Sequence, residues 1–159
     1  VKGLAAIALG SNLVSEFGDR EANLREAVRR LGELGEVKAV SRFYDTEPVG
    51  YIDQPRFLNG AVVLATALDP AELMRALLEI ERGMGRERVV EKGPRVIDLD
   101  LLLYRDRVMN TAELTLPHPE MQERSFVLMP LSQVAGDWVH PVLGMTVAEM
   151  LWRLEGNRG

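Results

Sequence analysis

The chain has 159 residues, 47% hydrophobic and 27% charged, with a formal net charge of −5 and a sequence pI of about 5.2. That length fits a single domain over 1–159 with a full core, and the acidic balance has the wrong sign for a nucleic-acid surface. With 0 cysteines and 2 histidines, disulfides, thiolate metal centres and multi-histidine zinc sites are excluded.

No apolar run approaches the ~20 residues of a membrane span, and no leader sequence is apparent. A cytoplasmic monomer binding neither membrane nor nucleic acid is the expectation. Leu4 to Leu9 is a short apolar run fit for a central strand. It stops at Gly10-Ser11-Asn12, a turn signal read as mainly structural. From about Asp19 to Leu34, apolar residues at Leu24, Ala27, Val28, Leu31 and Leu34 keep helical spacing, with Gly35 as the expected C-cap.

Val37 to Thr46 reads as a second strand, rich in β-branched and aromatic residues. The stretch from Asp45 to Arg56 is too long for a tight hairpin turn and has the length of a functional loop. Phe57 to Thr66 is a third strand, with Phe57, Asn59, Ala61 and Val63 on one face. Asn59 is the odd member of that face. Its amide suits the edge of a heterocycle, or else bonds neighbouring backbone. Asp69-Pro70-Ala71-Glu72 opens a second helix with N-cap, N1 proline and N3 glutamate, and Leu73, Ala76, Leu77 and Ile80 form its buried stripe. Glu81 follows on the apolar side, where it is expected to support a site beyond the helix.

Between Gly83 and Gly93 lie Arg86, Arg88 and Lys92, with Arg95 just beyond. Glycines at both ends and a run of cations fit a lid over phosphates. Then comes Gly93-Pro-Arg-Val-Ile-Asp-Leu-Asp-Leu-Leu-Leu103, the stretch with the most chemistry in it. As a strand it puts Asp98 and Asp100 on one face and Ile97, Leu99 and Leu101 on the other. The two carboxylates are then roughly 6.6 Å apart at Cα and can converge on one or two hard cations. The apolar run to Leu103 argues for a central strand buried on both sides.

Tyr104 to Asn110 reads as a hairpin excursion. His118 stands on a stiff loop between two prolines, suited to a ligand contact. A helix is expected from about Arg124 to Val134, and Thr146-Val-Ala-Glu149 is a capping box for the last helix. His140 reads as peripheral. The order strand, helix, strand, strand, helix, strand, then a helical tail, gives an α+β fold of ferredoxin-like split βαβ type. The sheet is antiparallel, the crossover helices share one face, and the first and last strands are central neighbours. On this reading Gly10–Asn12 and Asp98–Asp100 need not share an end of the sheet.

Five stretches stand in an order and spacing that resemble one family. They are Ile7-Ala-Leu-Gly-Ser-Asn-Leu13, Phe43-Tyr-Asp-Thr-Glu-Pro48, Asp53-Gln-Pro-Arg-Phe-Leu-Asn59, Gly93 to Asp100, and Leu116-Pro-His118. Together they are similar to the hydroxymethyl-dihydropterin pyrophosphokinases of folate biosynthesis. The resemblance implies transfer of pyrophosphate from ATP to 6-hydroxymethyl-7,8-dihydropterin, releasing AMP. It implies two Mg²⁺ ions on Asp98 and Asp100, with ATP as co-substrate. By position, Arg86, Arg95, His118 and Arg124 would meet nucleotide phosphates, with Arg88 in the same lid. Arg86 and Arg95 join the two aspartates as catalytic candidates. Thr46, Phe57, Asn59 and Phe126 match the pterin pocket, the two rings sandwiching the bicycle. Glu91 and Lys92 depart from the family, whose members often carry a basic residue and an aromatic there.

Two other readings compete. An aspartyl-phosphate phosphatase would use Asp98 as nucleophile, but such folds place the motif early in a long α/β chain. An RNA-binding or small-ligand module shares the fold, but the Phe57 strand lacks the basic aromatic signature of the RNA readers.

Overall fold

The computed structural model describes residues 3–46, 54–85 and 94–156. Its centre is β1 (Gly3–Ser11), whose Ala5, Ile7 and Leu9 point to one side while Ala6 and Ala8 point to the other. Both sides are covered, so β1 shows the unbroken apolar run of a strand with no solvated face. It pairs antiparallel with β4 (Phe57–Thr66) on one flank and β5 (Asp98–Tyr104) on the other. The sheet is completed by β2 (Gly35–Val40) and the three-residue β3 (Tyr44–Thr46), both antiparallel to β4, giving the path β2-β4-β1-β5.

Two helices cross over between these strands. α1 (Arg20–Leu31) starts at Asp19, whose side chain accepts the Ala22 amide, and α2 (Pro70–Gly83) starts with a complete capping box on Asp69 and Glu72. Both lie on the same face of the sheet, where Leu24, Leu31, Leu73 and Leu77 pack on Ile7, Val62, Leu64 and Leu99. The opposite face is covered by α3 (Ser125–Ala135) and α4 (Val147–Gly156), through Val127, Leu128, Leu131, Val147 and Met150. The α+β layout expected from the sequence is therefore present, with its second strand divided in two and a helical extension on the far face.

Several expectations need correction. The first helix stops at Gly32 rather than Gly35. Gly35 opens β2 instead, and a Cβ there would meet the Ala65 carbonyl oxygen at 2.1 Å, so close passage of two backbones explains that glycine. The expected strand from Val37 to Thr46 is interrupted at Ser41–Phe43. There the Ser41 hydroxyl accepts the Ala61 amide (2.9 Å) and donates to the Arg42 carbonyl (2.7 Å), replacing ladder bonds. The hairpin after Tyr104 is built by β6 (Met109–Asn110) and β7 (Thr115–Leu116). His140 is buried at 5% exposure, its Nδ1 accepting the amides of Val142 and Leu143. It organises a turn, and burial lowers its pKa from the ordinary histidine value.

The largest correction concerns β5, which is an edge strand. Two of its outer groups are nonetheless satisfied: the Leu99 amide donates to Glu81 Oε2 (2.7 Å), and the Leu102 carbonyl accepts the His118 amide (2.9 Å). Its run of leucines comes from a bulge. Ala6 pairs with Leu103 but Ile7 with Leu101, so Leu102 is an extra residue. Leu99, Leu101 and Tyr104 face the α1/α2 side, whereas Leu102 and Leu103 both face α3 and α4.

Candidate active site

Asp98 and Asp100 precede the bulge, on the face opposite Leu99 and Leu101. The register places Asp98 opposite Gly10 of β1, Gly10 opposite Asn59 of β4, and Asn59 opposite Tyr44 of β3. One step along, Asp100 is opposite Ala8, and Ala8 opposite Ala61. The carboxylates and the Asn59 amide therefore share one face at one end of the sheet, two strand spacings or about 10 Å apart. The sequence left open whether Gly10 and Asp98 share an end of the sheet; the register puts them at the same one.

Between them the floor is made of Gly10, Ala8 and Ala61. A Cβ on Gly10 would stand 3.1 Å from Asn59 Oδ1 and 3.7 Å from Phe57 Cδ1. The glycine thus keeps a shallow groove open between the amide and the carboxylates. Sequence reading missed this role, although Ala6, Ala8 and Gly10 at alternate positions of one strand were its signal.

At the β5 end the electrostatics are in conflict. Burial pushes the Asp100 carboxyl up to about 7, and the neighbouring charges of Asp98 and Glu81 add to the shift. Arg124 and Arg95 oppose it. Arg95 is nearly buried, with Nη1 3.2 Å from Asp98 Oδ1, while its buried Nε has no hydrogen-bond partner. Arg124, at the N-terminus of α3, reaches Glu120 at 2.7 Å and lies over the Phe126 ring, 5.6 Å from its centroid. His118 lies close enough that Arg124 and Asp98 both act on it; burial, then Arg124, lower its pKa. Its Nδ1 accepts the Glu120 amide at 3.3 Å, which puts the neutral ring's proton on Nε2 as a donor. The structure therefore gathers Asp98, Asp100, Arg95, His118 and Arg124. Arg86 and Arg88 lie outside the described residues.

At the β4 end, Asn59 is 8% exposed and donates its amide to Thr46 Oγ1, a side-chain partner rather than neighbouring backbone. Thr46 pairs with Phe57 across β3 and β4, so Thr46, Phe57 and Asn59 line one face. Phe126 packs on that same side from α3.

Asn12, set aside as part of a turn, proves central. It is 2% exposed and its amide donates to Gln54 Oε1 (2.8 Å) and the Pro55 carbonyl (3.0 Å). Its Oδ1 accepts the Arg95 backbone N–H (2.7 Å), and the Asn12 backbone N–H donates to the Arg95 carbonyl (3.0 Å). One buried side chain thus joins the segment before Phe57 to the segment before Asp98. Glu81, expected to support a site beyond its helix, accepts the Leu99 amide between the two aspartates, and its charge helps to raise Asp100.

Among the described residues, no group of three or more acidic or histidine side chains gathers as a metal cage, and no helix is long and apolar enough to cross a membrane. A family model described as 7,8-dihydro-6-hydroxymethylpterin-pyrophosphokinase matches residues 6–136. The 2-amino-4-hydroxy-6-hydroxymethyldihydropteridine pyrophosphokinase of Bacillus subtilis is 48% identical over 82% of this chain and 77% of its own length. The folic acid synthesis protein fol1 of Pneumocystis carinii is 41% identical over 89% of this chain, which spans 19% of that longer protein. A solved structure, Plasmodium falciparum HPPK-DHPS wild type with pteroate, superposes with a TM-score of 0.74 over 95% of this chain and 44% of its own. At 16% identity it supports the fold alone.

Proposed function

The chain belongs to the hydroxymethyldihydropterin pyrophosphokinase family, and we propose that Asp98 and Asp100 serve its reaction by holding two Mg²⁺ ions. That reaction transfers pyrophosphate from ATP to hydroxymethyldihydropterin in folate biosynthesis. The observation that carries the metal assignment is the placing of Asp98 and Asp100 on one face of β5, opposite Gly10 and Ala8, with the raised Asp100 carboxyl in support. Two carboxylates on one strand face are hard oxygen donors, and divalent charge relieves the repulsion that raises Asp100. Magnesium held by Asp98 and Asp100 would supply charge neutralisation for the triphosphate and so favour in-line attack at the β-phosphorus.

The rest of the work is positioning. Arg95 stands beside Asp98, where its guanidinium fork suits phosphate oxygens, as Arg124 and the His118 Nε2 donor do on the α3 side. Arg86 and Arg88 complete the phosphate set by sequence position. On the β4 side, the Asn59 amide and Thr46 hydroxyl read the polar edge of the pterin, and Phe57 and Phe126 stack on its faces, worth about 0.5–1.5 kcal/mol beyond area burial. The Gly10 floor lets the bicycle lie flat between them and directs its hydroxymethyl group toward the aspartates. We assign this activity to one domain over 1–159, acting as a cytoplasmic monomer on small-molecule substrates.

The direct test mixes the protein with Mg²⁺-ATP and reduced hydroxymethylpterin and resolves the nucleotides. AMP formed one-for-one with pterin diphosphate, lost in EDTA and restored by Mg²⁺, is the expected result. ADP instead of AMP would overturn pyrophosphoryl transfer, and full turnover in EDTA would overturn the metal assignment.

A further inference from the structure

β3 is the least secure strand that touches the groove. It has three residues and pairs through them with β4, too little for a ladder to hold itself in place. Yet its last residue, Thr46, is the hydrogen-bond partner of Asn59. Successive side chains in a strand point to opposite faces, so Asp45 turns away from the groove, toward α1. There it meets two arginines. Arg20, in the first turn of α1, reaches Asp45 Oδ2 through Nη2 at 2.9 Å and Oδ1 through Nη1 at 3.3 Å. Arg56, just before β4, donates from Nε to Oδ1 at 2.9 Å and from Nη2 to the Asp45 carbonyl at 3.3 Å. Arg20 Nη1 also donates to the Arg56 carbonyl at 2.9 Å, closing the ring of contacts.

We propose that Asp45 is a positioning residue for the pterin: clasped by Arg20 and Arg56, it fixes β3 so that Thr46 stands against Asn59. The proposal rests on the pterin reading of Thr46 and Asn59 given above. The carboxylate neutralises two guanidiniums that otherwise repel, and its pKa is held down to about 2 by the hydrogen bonds from Arg20 and Arg56. Removing it deletes the side-chain ties from Arg20 and Arg56 to β3, beside the start of β4 and next to Phe57. Asp45 is about half exposed (49%), and ion pairs so exposed add little to global stability. The clasp acts on where three local elements sit, so its loss shows in substrate binding before it shows in melting.

The experiment compares steady-state kinetics and thermal melts of the whole protein and three forms: Asp45→Ala, the charge-exchanged Asp45→Arg/Arg56→Asp, and Asn59→Ala. In the exchanged form Asp at 56 lies between two arginines, so the pattern of charge is kept. Asp45→Ala should raise the KM for pterin about tenfold, with kcat and the KM for ATP within about threefold of the parent. The exchanged form should recover most of that loss. A pterin KM unchanged in folded Asp45→Ala, or a folded exchanged form as impaired as the single variant, would overturn the proposal. Asn59→Ala separates the two levels. If it raises the pterin KM while Asp45→Ala does not, the clasp alone falls; if it leaves that KM unchanged, the pterin reading falls and takes the clasp with it.

Discussion

The two ends of the groove are built on opposite principles. At the β4 end, polar groups are already matched: Asn59 donates to Thr46, and the strand carrying Thr46 is held by neutralised charge on its other face. At the β5 end, burial raises Asp100 to about 7, and the charges of Asp98 and Glu81 add to the shift. The matched end resembles a preorganised recognition site, which lowers the cost of ordering a ligand. The mismatched end stores a conflict that a bound cation would resolve. A transferase acting between a flat heterocycle and a polyphosphate needs one of each.

If this contrast is right, the largest loss should come from the conflicted end. Asp100→Asn keeps shape and removes charge, and turnover should fall on the order of a thousandfold or more, with much less change in pterin affinity. Rapid-quench or steady-state measurement of AMP release checks it. Near-normal turnover would mean that the carboxylate pair is not where the metal acts.

The next effect falls on the link between the ends. Asn12→Ala removes the side-chain bonds to Gln54, Pro55 and the Arg95 amide at a buried position. We expect stability to drop by about 1–3 kcal/mol and kcat/KM to fall about 10–100-fold, because both flanks of the groove lose their common reference. Asn12→Asp keeps an acceptor for Arg95 but loses both donors. If it is as impaired as the alanine form, the Gln54–Pro55 arm matters most.

A smaller change belongs to the matched end. Asn59→Ala should weaken pterin binding by about 1–3 kcal/mol, with ATP binding unaffected, as titration calorimetry of each ligand would show. A comparable loss for ATP would erase the division between the two ends.

How much of this was legible beforehand depends on how far the deciding partner lies along the chain. The helix caps at Asp69 and Thr146, the β4 boundaries and the Asp98/Asp100 face follow from residues within a few positions of one another, and all are present. The edge position of β5 was hidden because a Glu81 side chain and the His118 backbone seal it, so its composition imitates a central strand. Leu102 and Leu103 lengthened that disguise, since a bulge breaks the alternation that would have exposed it. Gly35 was mistaken for a helix stop because its real reason, the Ala65 carbonyl, is 30 residues away. Asn12 stayed hidden for the same cause: its partners are 42, 43 and 83 residues distant. Asp98, Asp100, Arg95, His118 and Arg124 could be grouped beforehand only from the family pattern, which already encodes such long-range meetings.

The smallest effect gives the sharpest view of the contrast, because it separates stability from function. A carboxyl whose folded pKa is near 7 against an ordinary value of 3.8 binds its proton more tightly folded than unfolded. Its contribution to stability is present below about pH 4 and is lost as pH rises through 7. In EDTA, Asp100→Asn should therefore melt higher than the parent at pH 8, by on the order of 1–2 kcal/mol, with the gap closing toward pH 4. The same substitution that abolishes turnover would then stabilise the metal-free fold. Asn59→Ala should do the reverse, losing stability at every pH, because the group it removes was already satisfied. Should Asp100→Asn lower the melting temperature at pH 8, the carboxylates would have to be balanced within the protein itself, and the two ends of the groove would no longer differ in kind.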